Sequence, residues 1–480
     1  MRASAWDYDE TVLERIVAEM QSAGASYAEA RLHLLETTAI TIMNGAVVNI
    51  GRERRWGAAY RAIADGGLGF ASETLHIEGK PTVDAGKRAV AAARTSARLV
   101  RSKVSLGPAR LGRATYQVVP RRPFEDVSLD EKIALLKGIA GEFLVERGSF
   151  RVQSIVLVYR EMVEEKLLVT SDGALVRSRI PRVSIFYNVA AKSDRGRANR
   201  WFMIGGSGGL EVVEAEKLRS HLSSDVESLY VNLVKAEASP KGVMDVVVSP
   251  EIAGIMAHEA SGHPSEADRI LGREAAQAGM SFRTTYKGRL IGSRYVTVID
   301  DPTIPGSYGF YLYDDEGVAA RPRILYKNGE LNEMLHNRET AAIYGVESNG
   351  AARAMDYRSE PIIRMSNTYI APGDHKFDEL IEDVRMGIYI SKYMEWNIDD
   401  IRWGQRYGAL EAYLILNGRI EKPVRGAVLE GTTRELFSSV DAVSRDLKFY
   451  SGTCGKGEPP QGVPVWMGGP YMRLRGVRVR

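Results

Sequence analysis

The sequence predicts an α+β protein of two domains, with helices and antiparallel hairpins in the first and a strand-rich second domain. Three observations carry that reading. Segments with helical and with strand-like periodicity fall in separate blocks, without regular βαβ alternation. Asn-Gly and Asp-Gly pairs between strand-like runs recur at Asn44-Gly45, Asp65-Gly66, Asp172-Gly173, Asn328-Gly329 and Asn417-Gly418. The run Ala238-Ser239-Pro240-Lys241-Gly242 reads as a linker. It sets an N-terminal α+β domain at 1–238 against a C-terminal domain at 239–480. A chain of 480 residues is long enough for two such cores.

The first half opens with a helix over Asp9 to Ala23, because Val12, Leu13, Ile16, Val17 and Met20 recur at helical spacing. Ala28 to Ile50 alternates apolar and polar residues and turns at Asn44-Gly45, and a second strand pair flanks Asp65-Gly66-Gly67. The alanine-rich stretch Thr82 to Leu99 is helical. Ser128-Leu129-Asp130-Glu131 is a capping box that opens another helix, since Ser128 and Glu131 satisfy each other's free amides. Strands around Ser171-Asp172-Gly173 precede a helix from about Glu211 to Lys235.

Beyond the linker, Val243 to Val248 is a short apolar strand. Ser249-Pro250-Glu251 then supplies an N-cap residue, a first-turn proline and a first-turn acid, the marks of a helix start. Tyr295 to Asp300, Arg323 to Leu331 and Ala409 to Glu421 read as strands and hairpins, interrupted by a helix from about Lys376 to Met386. Alternating basic residues in Arg473 to Arg480 mark a terminal strand with one solvated face.

Composition excludes several classes of function. The 64 basic and 61 acidic residues leave a net charge of +3, too little for a nucleic-acid binder. One cysteine cannot form an intramolecular disulfide, so nothing requires an oxidising compartment. Met1 to Glu10 is acidic and lacks a signal pattern, and no apolar run approaches the roughly 18 residues of a membrane span. These features predict a cytoplasmic protein without a membrane role.

The chemistry concentrates in Ala257-His258-Glu259-Ala260-Ser261-Gly262-His263. It places two of the seven histidines and a carboxylate within six residues, and the lone thiol, Cys454, lies in the glycine-flanked run Gly452 to Gly457. Two His, one Cys and an unattached Glu are the parts of a zinc hydrolase: three ligands, an open position for water, and a base. The spacing from His258 to His263 is five residues. On a regular helix that leaves the two rings about 140° apart. To grip one ion the helix must bend, widen through a π-type turn, or end between them, and Gly262 and Pro264 allow that change. Cys454 is the candidate third ligand, with Lys456 beside it to favour the thiolate. Glu266 and Asp268 are rivals for that position or groups that orient the imidazoles or contact substrate.

These residues resemble the TldD branch of the TldD/PmbA metallopeptidase family, whose signature is HExxxH with a distant C-terminal cysteine. Further likeness lies in Asp314 to Val318, Asn328 to Leu331, Met365-Ser366-Asn367-Thr368-Tyr369 with Pro372-Gly373, Glu411 to Leu414, Lys422 to Ala427, and Gly455-Lys456 to Pro464-Val465. It covers essentially all of the second half, and the first half in layout. The resemblance implies a zinc (Zn2+) site of His258, His263 and Cys454, with Glu259 as base. It also implies an α+β fold, peptide substrates, and a dimer enclosing the active site, formed with a second copy of the chain or with a PmbA-like paralogue that lacks the motif. The chain departs from the family at Trp466 and Met467, bulky where small residues are expected.

The resulting expectation is a zinc peptidase acting on extended or unfolded peptides. A non-catalytic regulatory or assembly subunit with a structural metal is the alternative, and a fourth ligand at Glu266 or Asp268 would favour it. A zinc deaminase would need H-x-E and P-C-x-x-C, which are absent. The oxyanion-stabilising group stays open among backbone amides, Lys456, a tyrosine and His336.

Overall fold

The computed structural model describes residues 4–76, 79–273 and 279–480. The first half is an eight-stranded sheet that carries its helices on one face. Helix α1 (Glu10–Ser22) starts where the Asp9 carboxylate accepts the Thr11 N–H, and buries Leu13, Ile16, Val17 and Met20. Strands β1 (Tyr27–Met43), β2 (Ala46–Ala64) and β3 (Gly67–Thr74) form a meander, and α2 (Val83–Ala97) lies across β3. After β4 (Arg113–Gln117), helix α3 (Leu129–Glu142) opens on the expected capping box, with both reciprocal bonds formed. Strands β5 (Glu146–Arg147), β6 (Phe150–Thr170), β7 (Leu175–Ser193) and β8 (Gly196–Ser207) complete the sheet, and α4 (Ala215–Tyr230) packs beside α3 on the face that also carries α1 and α2. The sheet order is β3-β2-β1-β6-β7-β4, with β5 on β6 and β8 on β7.

The second half runs β9 (Glu237–Ala238), β10 (Gly242–Val248), α5 (Pro250–Ala257), α6 (Ala267–Leu271), β11 (Val298–Asp300), β12 (Arg323–Lys327) and β13 (Glu330–Leu331). It continues through α7 (Arg338–Tyr344), β14 (Ala352–Arg353), β15 (Ile362–Ile363), β16 (Asn367–Ile370), α8 (Phe377–Ile381), β17 (Met386–Ile398) and β18 (Gly404–Leu416). The last elements are β19 (Arg419–Arg425), β20 (Val428–Thr432), α9 (Thr433–Ser438), β21 (Val440–Val443), β22 (Lys448–Lys456), β23 (Gln461–Gly469) and β24 (Met472–Val479). One sheet is ordered β17-β10-β24-β20-β18-β19-β9, and pairing of β17 with β18 closes five of its strands into a ring. A second is ordered β13-β12-β11-β16-β23-β22. Between them lies an apolar core that includes Val246, Ile255, Tyr407 and Cys454.

The hairpin turns follow from their residues. Asn44-Gly45, Asp65-Gly66, Asn328-Gly329 and Asn417-Gly418 each hold two successive positive φ angles, the geometry that matches strand twist. Other expectations are corrected by tertiary pairing. The helix placed at Lys376 to Met386 ends at Ile381, because the carbonyls of Val384 and Arg385 accept N–H groups from the Gly418 and Asn417 turn. The strand placed at Tyr295 begins only at Val298, since Val296 is held in a turn by Ser293. The helix placed at Glu211 to Lys235 is regular only over α4, with a 3₁₀ turn before it and a π-turn at Val231–Lys235 after it. The sheets are also mixed, with parallel pairs β4–β7, β10–β17, β16–β23 and β9–β19. No helix among the described residues is long and apolar enough to cross a membrane.

Candidate metal centre

Helix α5 is buried on every side, as expected of an apolar helix at the centre of a core. It rests directly on β23. A Cβ on Gly254 would lie 2.9 Å from the backbone of Met467 and Gly468, and one on Gly469 would lie 2.6 Å from the Ala253 Cβ. At His258 the helix widens into a π-turn over His258–Gly262, closed by the His263 N–H donating to the His258 carbonyl, and passes into a 3₁₀ turn at His263–Ser265. The extra residue brings two side chains five positions apart onto one side. Gly262 sits under Met365, where a Cβ would come within 1.8 Å of Sδ. The space that permits this turn therefore exists only for glycine.

The rings of His258 and His263 stand nearly perpendicular, with centroids 4.9 Å apart. Strand β22 brings Cys454 to them from 191 residues away, its Sγ 3.6 Å from His263 Nε2. One donor atom from each of His258, His263 and Cys454 lies within 4.8 Å of the other two. Tetrahedral bonds of about 2.1 Å to nitrogen and 2.3 Å to sulfur would separate such donors by about 3.6 Å. His258 Nδ1 is buried without a hydrogen-bond partner. Burial pushes the Cys454 thiol up, but His263, His258 and Arg364 together draw it well below the usual thiol range. His258 is shifted the other way: burial lowers it, and the neighbouring Cys454, Glu259 and Glu266 charges raise it above the ordinary imidazole value. The donor set, its spacing and the thiolate fit zinc.

Around this group the acids divide their work. Glu266 is fully buried and its Oε2 lies 3.1 Å from His263 Nδ1. That nitrogen therefore carries the hydrogen, which leaves Nε2 free towards Cys454. Arg269 Nη2, 3.3 Å from the same nitrogen, is itself a donor and makes no bond to that N–H, whereas Arg269 Nε donates to Glu266 Oε2 at 3.2 Å. Burial raises the Glu266 carboxyl, but Lys456, His263 and Arg269 hold it well below the usual range. Asp268 accepts from Lys456 Nζ at 2.7 Å, and Lys456 also donates to the Ile363 carbonyl at 2.9 Å. Burial pushes the Asp268 carboxyl up, opposed by Lys456. Glu266, Asp268 and Lys456 thus lie behind the histidines, and neither acid joins the three donors as a fourth ligand. Lys456 is spent on Asp268. The cation beside Cys454 is Arg364, whose guanidinium donates to the Cys454 and Gln461 carbonyls and pairs with no carboxylate among the described residues.

The donors face a cavity of about 380 Å³ between the two halves of the chain. Phe186, Trp201, Tyr393, Trp396 and Tyr450 form an aromatic wall, and Glu251, Glu259 and Arg402 supply charge. Glu259 projects into it with Oε2 2.7 Å from Arg402 Nη1. Trp466 points away from the cavity, stacked on Phe449 and bonded to the Gly205 carbonyl, whereas Met467 lines it. A larger cavity of about 980 Å³, beside Arg406, Glu430 and Arg478, shares no residue with this one and contains no His or Cys. Arg402, Arg364 and the aromatic wall carry no motif. They become legible only when the strands that hold them are brought together.

Comparison with known proteins identifies relatives of the chain. Family models described as PmbA/TldA metallopeptidase domain 1, central domain and C-terminal domain match residues 28–97, 122–239 and 241–480. A protein named metalloprotease from Methanothermobacter thermautotrophicus is 35% identical over 453 residues, covering 94% of this chain and 95% of its own. The "Metalloprotease TldD homolog" of Haemophilus influenzae is 32% identical over 369 residues, covering 74% of this chain and 73% of its own. The "Zinc metalloprotease TldD homolog" of Saccharolobus solfataricus is 32% identical over 258 residues, covering 53% and 56%. The structure of TldE from Thermococcus kodakarensis superposes with a TM-score of 0.72 at 16% identity, covering 98% of this chain and 99% of that one, a likeness of fold. With family models over most of its length and full-length relatives above 30% identity, the chain belongs to the PmbA/TldD metallopeptidase family.

Proposed function

We propose that this chain is a zinc peptidase that hydrolyses peptide bonds in extended or unfolded peptides. The observation that carries the reading is the convergence of His258, His263 and Cys454 on one point at the wall of a cavity that Glu259 also enters. Zinc held by these three residues would supply Lewis-acid polarisation of the scissile carbonyl and a water of lowered pKa. Glu259 takes the proton from the attacking water and returns it to the leaving amine as the C–N bond breaks. Glu266 fixes the His263 ring, and the aromatic wall receives side chains of the bound peptide. A cytoplasmic location and a dimer, including pairing with a paralogue that lacks the metal motif, belong to the same proposal. The exposed apolar residues Met43, Val47, Val48 and Ile50 at the β1–β2 turn are consistent with such association. The alternative of a closed structural metal site is disfavoured because Glu266 and Asp268 are engaged elsewhere.

The test is Glu259→Gln beside the parent protein, with zinc content and cleavage of an unfolded peptide measured in both. The expected result is unchanged zinc and loss of hydrolysis. Cleavage by Glu259→Gln at the parent rate removes Glu259 from the mechanism.

A further inference from the structure

Hydrolysis by this site develops negative charge on the scissile carbonyl oxygen, and the structure narrows which cation of the chain could meet it. Lys456 is wholly buried and spent on Asp268 and Ile363. His336 hydrogen-bonds Thr340, meets Tyr344 edge to face and does not line the cavity. Besides the two histidines, Arg402 is the one cation lining it among the described residues.

Three features mark Arg402. Its backbone holds φ of +65°, a conformation disfavoured for any residue but glycine. The surroundings enforce it: Arg402 N donates to the Asp399 carbonyl, the Arg402 carbonyl accepts from Thr433 Oγ1 at 2.7 Å and Gln405 Nε2 at 3.1 Å, and the Asp399 carboxylate binds the next two amides, Trp403 and Gly404. Finally, the guanidinium uses only Nη1, on Glu259, while Nε is buried without an acceptor. The loop thus spends backbone strain to hold a partly satisfied cation at the catalytic carboxylate.

We propose that Arg402 is a catalytic residue that stabilises the oxyanion, held in reserve by Glu259 until the reaction begins. The inference rests on the peptidase reading above. When Glu259 accepts the proton of the attacking water, it loses the charge that holds Arg402. In the same step the water oxygen bonds to the carbonyl carbon, and the C=O π pair moves onto the carbonyl oxygen. Arg402 exchanges one anion for the other without crossing solvent. When the oxyanion collapses and the C–N bond breaks, Glu259 gives its proton to the amine and regains Arg402.

The test is Arg402→Gly, compared with Arg402→Lys, Glu259→Gln and the parent. Glycine accepts this φ, so the loop should survive the loss of the side chain. The expected Arg402→Gly protein melts no lower than the parent, retains its zinc, and shows a near-parent KM with kcat lower by about 10²- to 10³-fold. Guanidinium ion in solution restores part of the rate, and Arg402→Lys falls between. A parent-like kcat in Arg402→Gly while Glu259→Gln is inactive overturns this inference alone. So does a loss confined to KM and seen only with a free peptide C-terminus, which would make Arg402 an anchor for the substrate carboxylate. Full activity in Glu259→Gln removes Glu259 as the base and this inference with it, while absence of cleavage by the parent protein overturns the peptidase reading and this inference together.

Discussion

Glu266→Gln isolates the contribution of the carboxylate behind His263. The substitution keeps the shape and removes one charge from a site with no solvent access. Three groups lose their anionic partner, of which Arg269 and Lys456 are cations: His263 Nδ1 at 3.1 Å, Arg269 Nε at 3.2 Å and Lys456 Nζ at 3.5 Å. Lys456 retains Asp268 at 2.7 Å and is largely compensated. Arg269 retains only a 3.4 Å contact to the Met280 carbonyl. Stranding one buried ion costs about 3–5 kcal/mol. The glutamine oxygen still accepts from His263, which places the loss of stability near about 3 kcal/mol. A neutral acceptor also makes the imidazole a weaker ligand, so zinc affinity should fall about 10- to 100-fold. Chelator competition reads the affinity, and denaturant unfolding of the metal-free protein reads the stability. Lys456, His263 and Arg269 hold the Glu266 carboxyl below its ordinary value, so its contribution is present above about pH 4.3 and disappears as pH falls through the folded value. The stability difference between the two proteins should therefore shrink in acid. Zinc affinity within twofold of the parent would refute the claim that Glu266 sets the His263 ring.

Other consequences follow from the same packing. Burial lowers His336 to about 4, against an unfolded value near 6.5, so it stabilises the fold fully above about pH 6.5 and progressively less down to about pH 4. The shift is worth about 3 kcal/mol, and His336→Asn should flatten the acid limb of a stability–pH profile over that window; an unchanged slope contradicts this. Gly262→Ala forces a Cβ against Met365 Sδ, 1.8 Å away, and should cost about 1–3 kcal/mol and displace His263, with loss of zinc. Trimming Met365 to alanine in the same chain should recover part of that loss, so strict additivity in the double-mutant cycle would contradict the contact.

Much of the fold was legible because its signals are local. Asn-Gly and Asp-Gly turns, the Ser128–Glu131 box and the apolar face of α1 each specify their own element. Signals failed where a distant segment takes over the backbone, as the Asn417-Gly418 turn does at Val384 and Arg385. The sequence also could not show that β10–β17 and β16–β23 pair in parallel, since residue alternation does not encode strand direction. For the site, the five-residue spacing of His258 and His263 required a distortion, and the π-turn with Gly262 under Met365 is that distortion. Lys456 lies two residues along β22 from Cys454, but its ammonium bonds to Asp268, a partner that strand spacing alone does not show. Arg364 and Arg402 had no signature, being single arginines among 64 basic residues whose meaning depends on what the folded chain places opposite them.

The account depends on one ion held by two imidazoles and one thiolate. Metal analysis of the purified protein, with zinc X-ray absorption on the same sample and on Cys454→Ser, measures that coordination directly. The account predicts one zinc per chain, one sulfur at about 2.3 Å with nitrogen near 2.1 Å, and loss of the sulfur shell with most of the metal in Cys454→Ser. A protein that purifies without zinc and takes up none, or one whose bound zinc has no sulfur neighbour, contradicts it.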